Sequence, residues 1–184
     1  MTHAFEPRED PDIDSVWRWF EFQLGLIRAE QGRTLRTLAS GRETDAEPPD
    51  KRDPPYIGLG PAEVEDFFDQ QAGYLELVAM FELLATTEAI LRIGFKARVE
   101  ERRKDDLSKR FRAAHKLRGE RIRLDEDILA ALRETGVAVA AFRRTLGLRD
   151  WLAHGRHWHP KLGRGYTPAD VLGIARELID SIPA

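Results

Sequence analysis

The chain has 184 residues, which suits one folded domain with an appendage, and its 42% hydrophobic and 33% charged residues are ordinary for a globular protein. It contains no cysteine, which excludes disulfide bonds and thiolate metal sites. The formal net charge of −3 does not exclude a nucleic-acid partner, because 16 acidic and 8 basic residues lie in positions 1–70 whereas 12 basic and 5 acidic residues lie in positions 96–123.

The N-terminal part combines an acidic start, one amphipathic helix and a linker. Residues 1–14 lack the apolar run of a signal peptide, so the expected location is the cytoplasm. Apolar residues then recur at helical spacing and predict a helix from about Asp14 into the thirties. Residues 41–60 contain four prolines and no apolar period. The expected organisation is an N-terminal segment 1–40, a linker 41–60 and a helical bundle 61–184.

A long apolar helix is predicted from Pro61 to about Glu100. Proline suits the first helical position, where its missing N–H would be unpaired in any case. The most apolar run, Leu75 to Phe95, is interrupted by four charged residues, which favours a buried bundle helix over a membrane span: Glu76, Glu82, Glu88 and Arg92. Glu88 and Arg92 stand four residues apart, a spacing that favours an ion pair within the helix.

The remaining periodicity is also helical. Helices are predicted after Asp106, from about Asp125 to Gly136, through Leu148 and Leu152, and after Thr167, which precedes a proline as an N-cap does. Asp105, Asp106 and Asp125 are predicted to be helix N-caps. No segment shows the alternation of a strand. The sequence therefore predicts an all-α antiparallel bundle of four to five helices with an additional N-terminal helix. The basic stretch 96–123 fits either a phosphate-binding surface or an ordinary solvated helix face.

Residues 148–155 place an arginine, a carboxylate and a histidine within one short segment: Leu-Arg-Asp-Trp-Leu-Ala-His-Gly. Arg149 could hold a phosphate through its planar fork, and His154 could move protons near neutral pH. On an ideal helix these two side chains would lie about 140° apart, so a two-fold dimer would be one way to bring two copies together. Two non-catalytic interpretations stay open: His154 as a helix C-cap before Gly155, and Arg149 in a salt bridge.

This segment, an arginine followed by a polar residue and then a histidine, resembles the signature of the HEPN superfamily. That family consists of small helical domains, many of them RNases of toxin–antitoxin and phage-defence systems. The resemblance implies that Arg149 binds the scissile phosphate, that His154 is the general acid/base, and that two motifs meet across a homodimer. It also offers a second interpretation of Glu88, as an inward carboxylate that braces Arg149. Asp150 takes the polar position of the motif, where the family usually has asparagine. As a further candidate catalytic residue, its carboxylate could orient or charge His154 or hold Arg149, although it would repel an RNA phosphate.

The residues after the motif interleave basic and aromatic side chains, a mixture that suits single-stranded RNA: Arg156, His157, Trp158, Lys161 and Tyr166. The alternative is a loop whose Trp158 packs back on the bundle. His154, His157 and His159 could instead bind a metal, but no cysteine and no clear carboxylate partner accompanies them. We therefore expect neither a metal nor a cofactor.

Together these features predict a metal-independent endoribonuclease that cleaves RNA by attack of the 2′-hydroxyl and leaves a 2′,3′-cyclic phosphate. The expected partners are RNA, a second copy of the chain and an antitoxin protein, with no membrane. One alternative is a non-catalytic HEPN module that binds RNA, a nucleotide or a protein. Another is a structural interaction protein that docks through its acidic N-terminal arm.

Overall fold

A computed structural model describes residues 11–40, 54–155 and 165–183. Six α-helices lie in these residues: α1 Ile13–Ala39, α2 Pro61–Glu100, α3 Asp106–Arg118, α4 Ala130–Glu134, α5 Ala140–Ala153 and α6 Pro168–Asp180. A 3₁₀ turn at Gly119–Arg121 and a π-helical turn at Leu124–Leu129 connect α3 to α4. The described residues contain no strand. The predicted all-α fold class is confirmed.

Three of the six described helices, α2, α3 and α6, begin at signals that the sequence predicts. Pro61 opens α2, and Thr167 caps α6 in a reciprocal arrangement. The Thr167 hydroxyl accepts the Asp170 N–H at 3.2 Å, and the Asp170 carboxylate accepts the Thr167 N–H at 2.9 Å. Asp105 caps α3, because its carboxylate accepts the Ser108 N–H at 2.9 Å.

Two other expected caps, at Asp106 and Asp125, are wrong. Asp106 is the first residue of α3, where its carboxylate accepts a hydrogen bond from Arg110 at 3.0 Å. Asp125 lies inside the π-helical turn and pairs with Arg143 of α5 at 2.5 Å. The carboxylate that reaches back to the start of that turn belongs to Asp127, which accepts the Arg123 N–H at 2.8 Å.

The chain divides into two compact units, residues 18–78 and residues 1–17 with 79–184. In the smaller unit, four apolar residues are buried: Phe20, Val64, Phe68 and Ala72. The ring of Tyr56 lies 5.0 Å from that of Phe68, and its hydroxyl donates to Glu30 at 2.8 Å. Arg28 and Asp69 form an ion pair at 2.6 Å. The domain boundaries expected from the sequence stay a prediction.

The larger unit holds most of the buried core and the motif helix. There α3 packs on α4 and on the π-helical turn, and α5 packs on α6. The most deeply buried large side chains of this unit come from α2, α3, the π-helical turn, α4, α5 and α6: Leu83, Leu84, Leu107, Ile128, Leu129, Leu132, Phe142 and Leu178. None of the described helices has both the length and the apolar character needed to cross a membrane.

A buried arginine joins the end of α2 to the start of α3. Only 6% of Arg98 is exposed, and its guanidinium donates to the Asp105 carboxylate at 3.1 Å and to the Ser108 hydroxyl at 3.2 Å. It also donates to the carbonyl of Pro183. The hydrogen bond from the Ser108 hydroxyl, together with Arg98, holds the pKa of Asp105 below its ordinary value of 3.8.

We expect Asp105→Asn to lower the free energy of unfolding at pH 7 by about 1–2 kcal/mol, because the amide retains the cap but removes the charge beside Arg98. A lowered pKa stabilises the fold above the ordinary carboxyl pKa, and this contribution disappears as the pH falls through the folded-state value. Urea unfolding of both proteins at several pH values measures the difference, which should shrink in acid. Asp106→Asn, which changes an exposed pair, is the matched control and should have little effect. A difference that persists unchanged in acid would contradict the charge-based account.

Candidate functional site

The motif helix α5 is fixed by a buried face immediately before the motif. Phe142, Thr145 and Leu148 are all buried, at the three-residue spacing of one helical side. Arg149 is the next residue after the buried Leu148 and therefore lies at the edge of the core, with 33% of its side chain exposed. Its guanidinium can consequently touch both the interior of the unit and the solvent.

Arg149 is held by two carboxylates. One terminal nitrogen donates to Glu88 of α2, and the other donates to Asp150 at 2.7 Å. The Glu88 side chain is only 14% exposed, whereas that of Asp150 is 56% exposed. The structure thus brings Glu88, which lies 61 residues earlier in the chain, to the arginine and the carboxylate of the motif.

Glu88 makes both of the contacts that the sequence left as alternatives. Its Oε1 accepts from Arg92 at 2.8 Å, which is the ion pair within α2. Its Oε2 accepts from Arg149, which is the brace between α2 and α5. Arg92 also donates to the carbonyl of Ile122 at 3.3 Å. One carboxylate therefore positions two guanidinium groups on two helices.

The surroundings keep Arg149 charged. Partial burial acts to lower its pKa, but hydrogen bonds to Asp150 and Glu88 and the attraction of both carboxylates outweigh that effect and raise the pKa above its ordinary value. Arg149 can therefore bind and stabilise an anion but cannot act as a proton acceptor.

His154 stands at the very end of the motif helix. The helix ends at Ala153, and the exposed His154 is its C-cap, whose N–H donates to the Asp150 carbonyl at 3.0 Å. Gly155 then takes a positive φ of 78°, the left-handed conformation that commonly terminates a helix. The expected position of His154 next to a glycine stop is confirmed.

The remaining predicted site residues fall on both sides of the described range. Tyr166 is half-buried and immediately precedes the cap of α6. Arg156, His157, Trp158 and Lys161 lie outside the described residues, as does His159 of the alternative metal site. Within the described residues, no three histidine, aspartate or glutamate side chains are grouped so that they could hold a metal ion.

The charges of the cluster define what it can do chemically. Arg149 and Arg92 are balanced by Glu88 and Asp150, so a phosphate that approaches Arg149 must compete with a carboxylate. The exposed Asp150 is the easier one to displace, because an exposed ion pair contributes little free energy. The less exposed Glu88 would then keep the guanidinium in place while the nitrogen that Asp150 releases contacts the phosphate.

Sequence reasoning missed Arg98, the most deeply buried charged residue of α2. A signal was present, since Leu84, Leu91, Phe95 and Arg98 follow one another at spacings of seven, four and three residues on one helical side. A charged residue on such a stripe indicates a buried, partnered group.

No family model, no curated protein and no solved structure matches the chain. The function of the molecule is therefore inferred from its own residues. The candidate site is the cluster of Glu88, Arg149 and Asp150, on a helix whose C-cap is His154.

Proposed function

We propose that the chain is a metal-independent endoribonuclease of the HEPN type that acts in the cytoplasm. The observation that carries this proposal is the brace between Glu88 and Arg149, which fixes a permanently charged fork on the helix that ends at His154. A fixed cation and a solvent-exposed imidazole supply the two groups that RNA cleavage without a metal requires.

The proposed reaction begins when His154 takes the proton of an RNA 2′-hydroxyl. The resulting oxygen attacks the adjacent phosphorus, and the bond from phosphorus to the 5′-oxygen breaks as that oxygen takes the proton back from the protonated His154. Arg149 stabilises the negative charge of the crowded intermediate. The products are a 2′,3′-cyclic phosphate and a 5′-hydroxyl end. DNA lacks the attacking hydroxyl and should remain intact.

A second copy of the chain would complete this site. Arg149 and His154 are five positions apart, so on one helix the two side chains diverge by about 140°. A two-fold axis beside α5 would place the His154 of one copy near the Arg149 of the other without bending either helix. We assign RNA contacts to Arg156, His157, Trp158, Lys161 and Tyr166, and regulation by an antitoxin protein fits a toxin or phage-defence effector.

The decisive experiment incubates the purified full chain with structured and single-stranded RNA in the presence of a chelator. We expect cleavage to persist and to leave cyclic phosphate ends, which mass spectrometry identifies. A DNA oligonucleotide of the same sequence is the control. Absence of cleavage across a broad set of RNAs, or cleavage that needs added metal, would overturn the proposal.

The basic stretch provides a graded test of RNA binding. Lys109, Arg112 and Lys116 lie within about 60° of one another on α3, and among the described residues none of them has an ion-pair partner. Arg103 and Arg110 of the same stretch are paired with acidic side chains, Glu101 and Asp106 respectively. The unpaired side chains are therefore the ones that can neutralise phosphates.

We expect Lys109→Glu or Lys116→Glu to weaken RNA binding. Each phosphate that the variant protein no longer neutralises should reduce the slope of log K against log salt by about 0.7. Filter binding at several salt concentrations measures both effects. Arg36→Glu makes the same change in net charge on the exposed side of α1 and serves as the control. Equal effects of all three variants, or RNA binding that does not depend on salt, would mean that Lys109, Arg112 and Lys116 form an ordinary solvated helix face.

The second candidate function is a non-catalytic module that binds RNA, a nucleotide or a protein. It is favoured because Glu88 and Asp150 neutralise Arg149, as they would in ion pairs that only stabilise the fold. The two functions differ in one measurement. A binding module would retain RNA affinity without producing cyclic phosphate ends, whereas an enzyme would produce them only when His154 is present.

A further inference from the structure

A second, apolar site lies in the larger unit, among residues that the proposed reaction does not use. A cavity of about 220 Å³ opens between α2, α3, α4 and α6. Its lining is almost entirely aliphatic or aromatic and includes Ile90, Gly94, Phe111, Leu132, Ile179 and Ile182. An apolar cavity of roughly 150 Å³ already accommodates benzene, so this one has room for about eight to ten non-hydrogen atoms.

Arg98 contributes a polar group to the lining of this cavity. Among the described residues that line it, Arg98 alone is polar, and it is more than nine-tenths buried. Its contacts with Asp105, Ser108 and Pro183 involve both terminal nitrogens and three acceptors. Because a guanidinium carries five N–H groups, donors remain for a ligand acceptor.

The charge around Arg98 defines the kind of head group that fits. Asp105 lies 3.1 Å from the guanidinium and already balances its charge. A carboxylate ligand would bring a second negative charge to a buried guanidinium whose charge Asp105 already balances, which is unfavourable. A hydroxyl or carbonyl oxygen would accept a hydrogen bond from Arg98 without adding charge.

We propose that this cavity binds an uncharged, mainly apolar small molecule of about eight to ten non-hydrogen atoms that carries one hydrogen-bond acceptor. The apolar part lies against the isoleucines of α2 and α6, and the acceptor meets Arg98. This proposal does not depend on the ribonuclease activity, since the cavity includes none of Glu88, Arg149, Asp150 and His154.

Gly94 makes the proposal testable by filling the cavity. A Cβ built at this glycine has no heavy atom within 4 Å, and its backbone is that of an ordinary helix. A leucine side chain at this position therefore begins in open space beside the cavity, and the substitution also improves the helix propensity. Gly173→Leu on the exposed side of α6 is the matched control, since its Cβ also has open space.

Isothermal titration calorimetry of the full chain with 1-octanol and with octanoate at pH 8 tests both the binding site and the preference for an uncharged head group. We expect 1-octanol to bind at one site and at least tenfold more tightly than octanoate. Gly94→Leu should weaken binding of 1-octanol by more than tenfold while thermal unfolding stays cooperative, and Gly173→Leu should bind normally. No binding by the wild type, or unchanged binding by Gly94→Leu, overturns the site. Equal or tighter binding of octanoate overturns the uncharged head group.

Discussion

His154→Ala is expected to abolish RNA cleavage, with a decrease of about 10²–10⁴ in rate, while the protein stays folded. The imidazole is exposed beyond the last residue of α5, so its removal leaves the core of the unit unchanged. The hydrogen bond that positions this residue, from its backbone N–H to the Asp150 carbonyl, is also kept by alanine. Initial rates on a labelled RNA and thermal unfolding of the same samples separate catalysis from stability.

His115→Ala is the matched control for this effect. His115 is a half-buried histidine on α3 whose ring lies 6.3 Å from that of Phe95, and it belongs to a different helix from the motif. Its replacement should preserve the cleavage rate. Normal cleavage by His154→Ala would remove the enzyme hypothesis, and the binding module would then be the better account.

Arg149→Lys should reduce cleavage by about 10²–10³, although the positive charge is kept. A lysine has a single ammonium group, which cannot hold Glu88 and reach a phosphate with a second, differently directed nitrogen. We expect the decrease mainly in kcat, since the interaction matters most in the charged intermediate. Arg144→Lys, at an exposed position earlier on α5, is the control and should keep both kcat and KM.

Mixing the two inactive variants tests whether the site is shared between copies. In a heterodimer of His154→Ala and Arg149→Lys, one of the two shared sites keeps an intact arginine and an intact histidine. Random pairing should then restore roughly one quarter of the wild-type activity. A site contained in one chain would give no restoration, which would contradict the dimeric arrangement and leave the proposed chemistry standing.

The local part of the fold could be predicted from the sequence, because helix signals are local. Pro61 and Thr167 stand where α2 and α6 begin, and Gly155 takes the left-handed conformation that ends the motif helix. The prediction failed at Asp125, since several carboxylates compete near that start. The carboxylate that reaches the free N–H belongs to Asp127, and Asp125 instead pairs with an arginine of α5.

The candidate site was predictable only in its parts. The spacing of Arg149, Asp150 and His154 is visible in the sequence, and so is the ion pair of Glu88 with Arg92. Periodicity cannot show that Glu88 also meets Arg149, because that contact joins residues 61 positions apart, and only the HEPN resemblance offered it as an interpretation. It depends on how α2 and α5 are placed, which many distant apolar contacts determine together. The burial of Arg98 near the end of α2 is a different case, because its place on an apolar helical side is visible in the sequence and was overlooked.

The carboxylate of Glu88 links the side chains at positions 88, 92 and 149, so a substitution at one of them affects the other two. If it is replaced by a neutral residue, Arg92 and Arg149 keep two like charges that no longer share a counterion, and if Arg149 is replaced, Glu88 keeps only its neighbour on α2. Among descendants of this chain that keep the activity, substitutions of Glu88 should therefore be about as rare as substitutions of Arg149, because the guanidinium would no longer be held in place. Position 150, whose side chain faces solvent, should vary more freely.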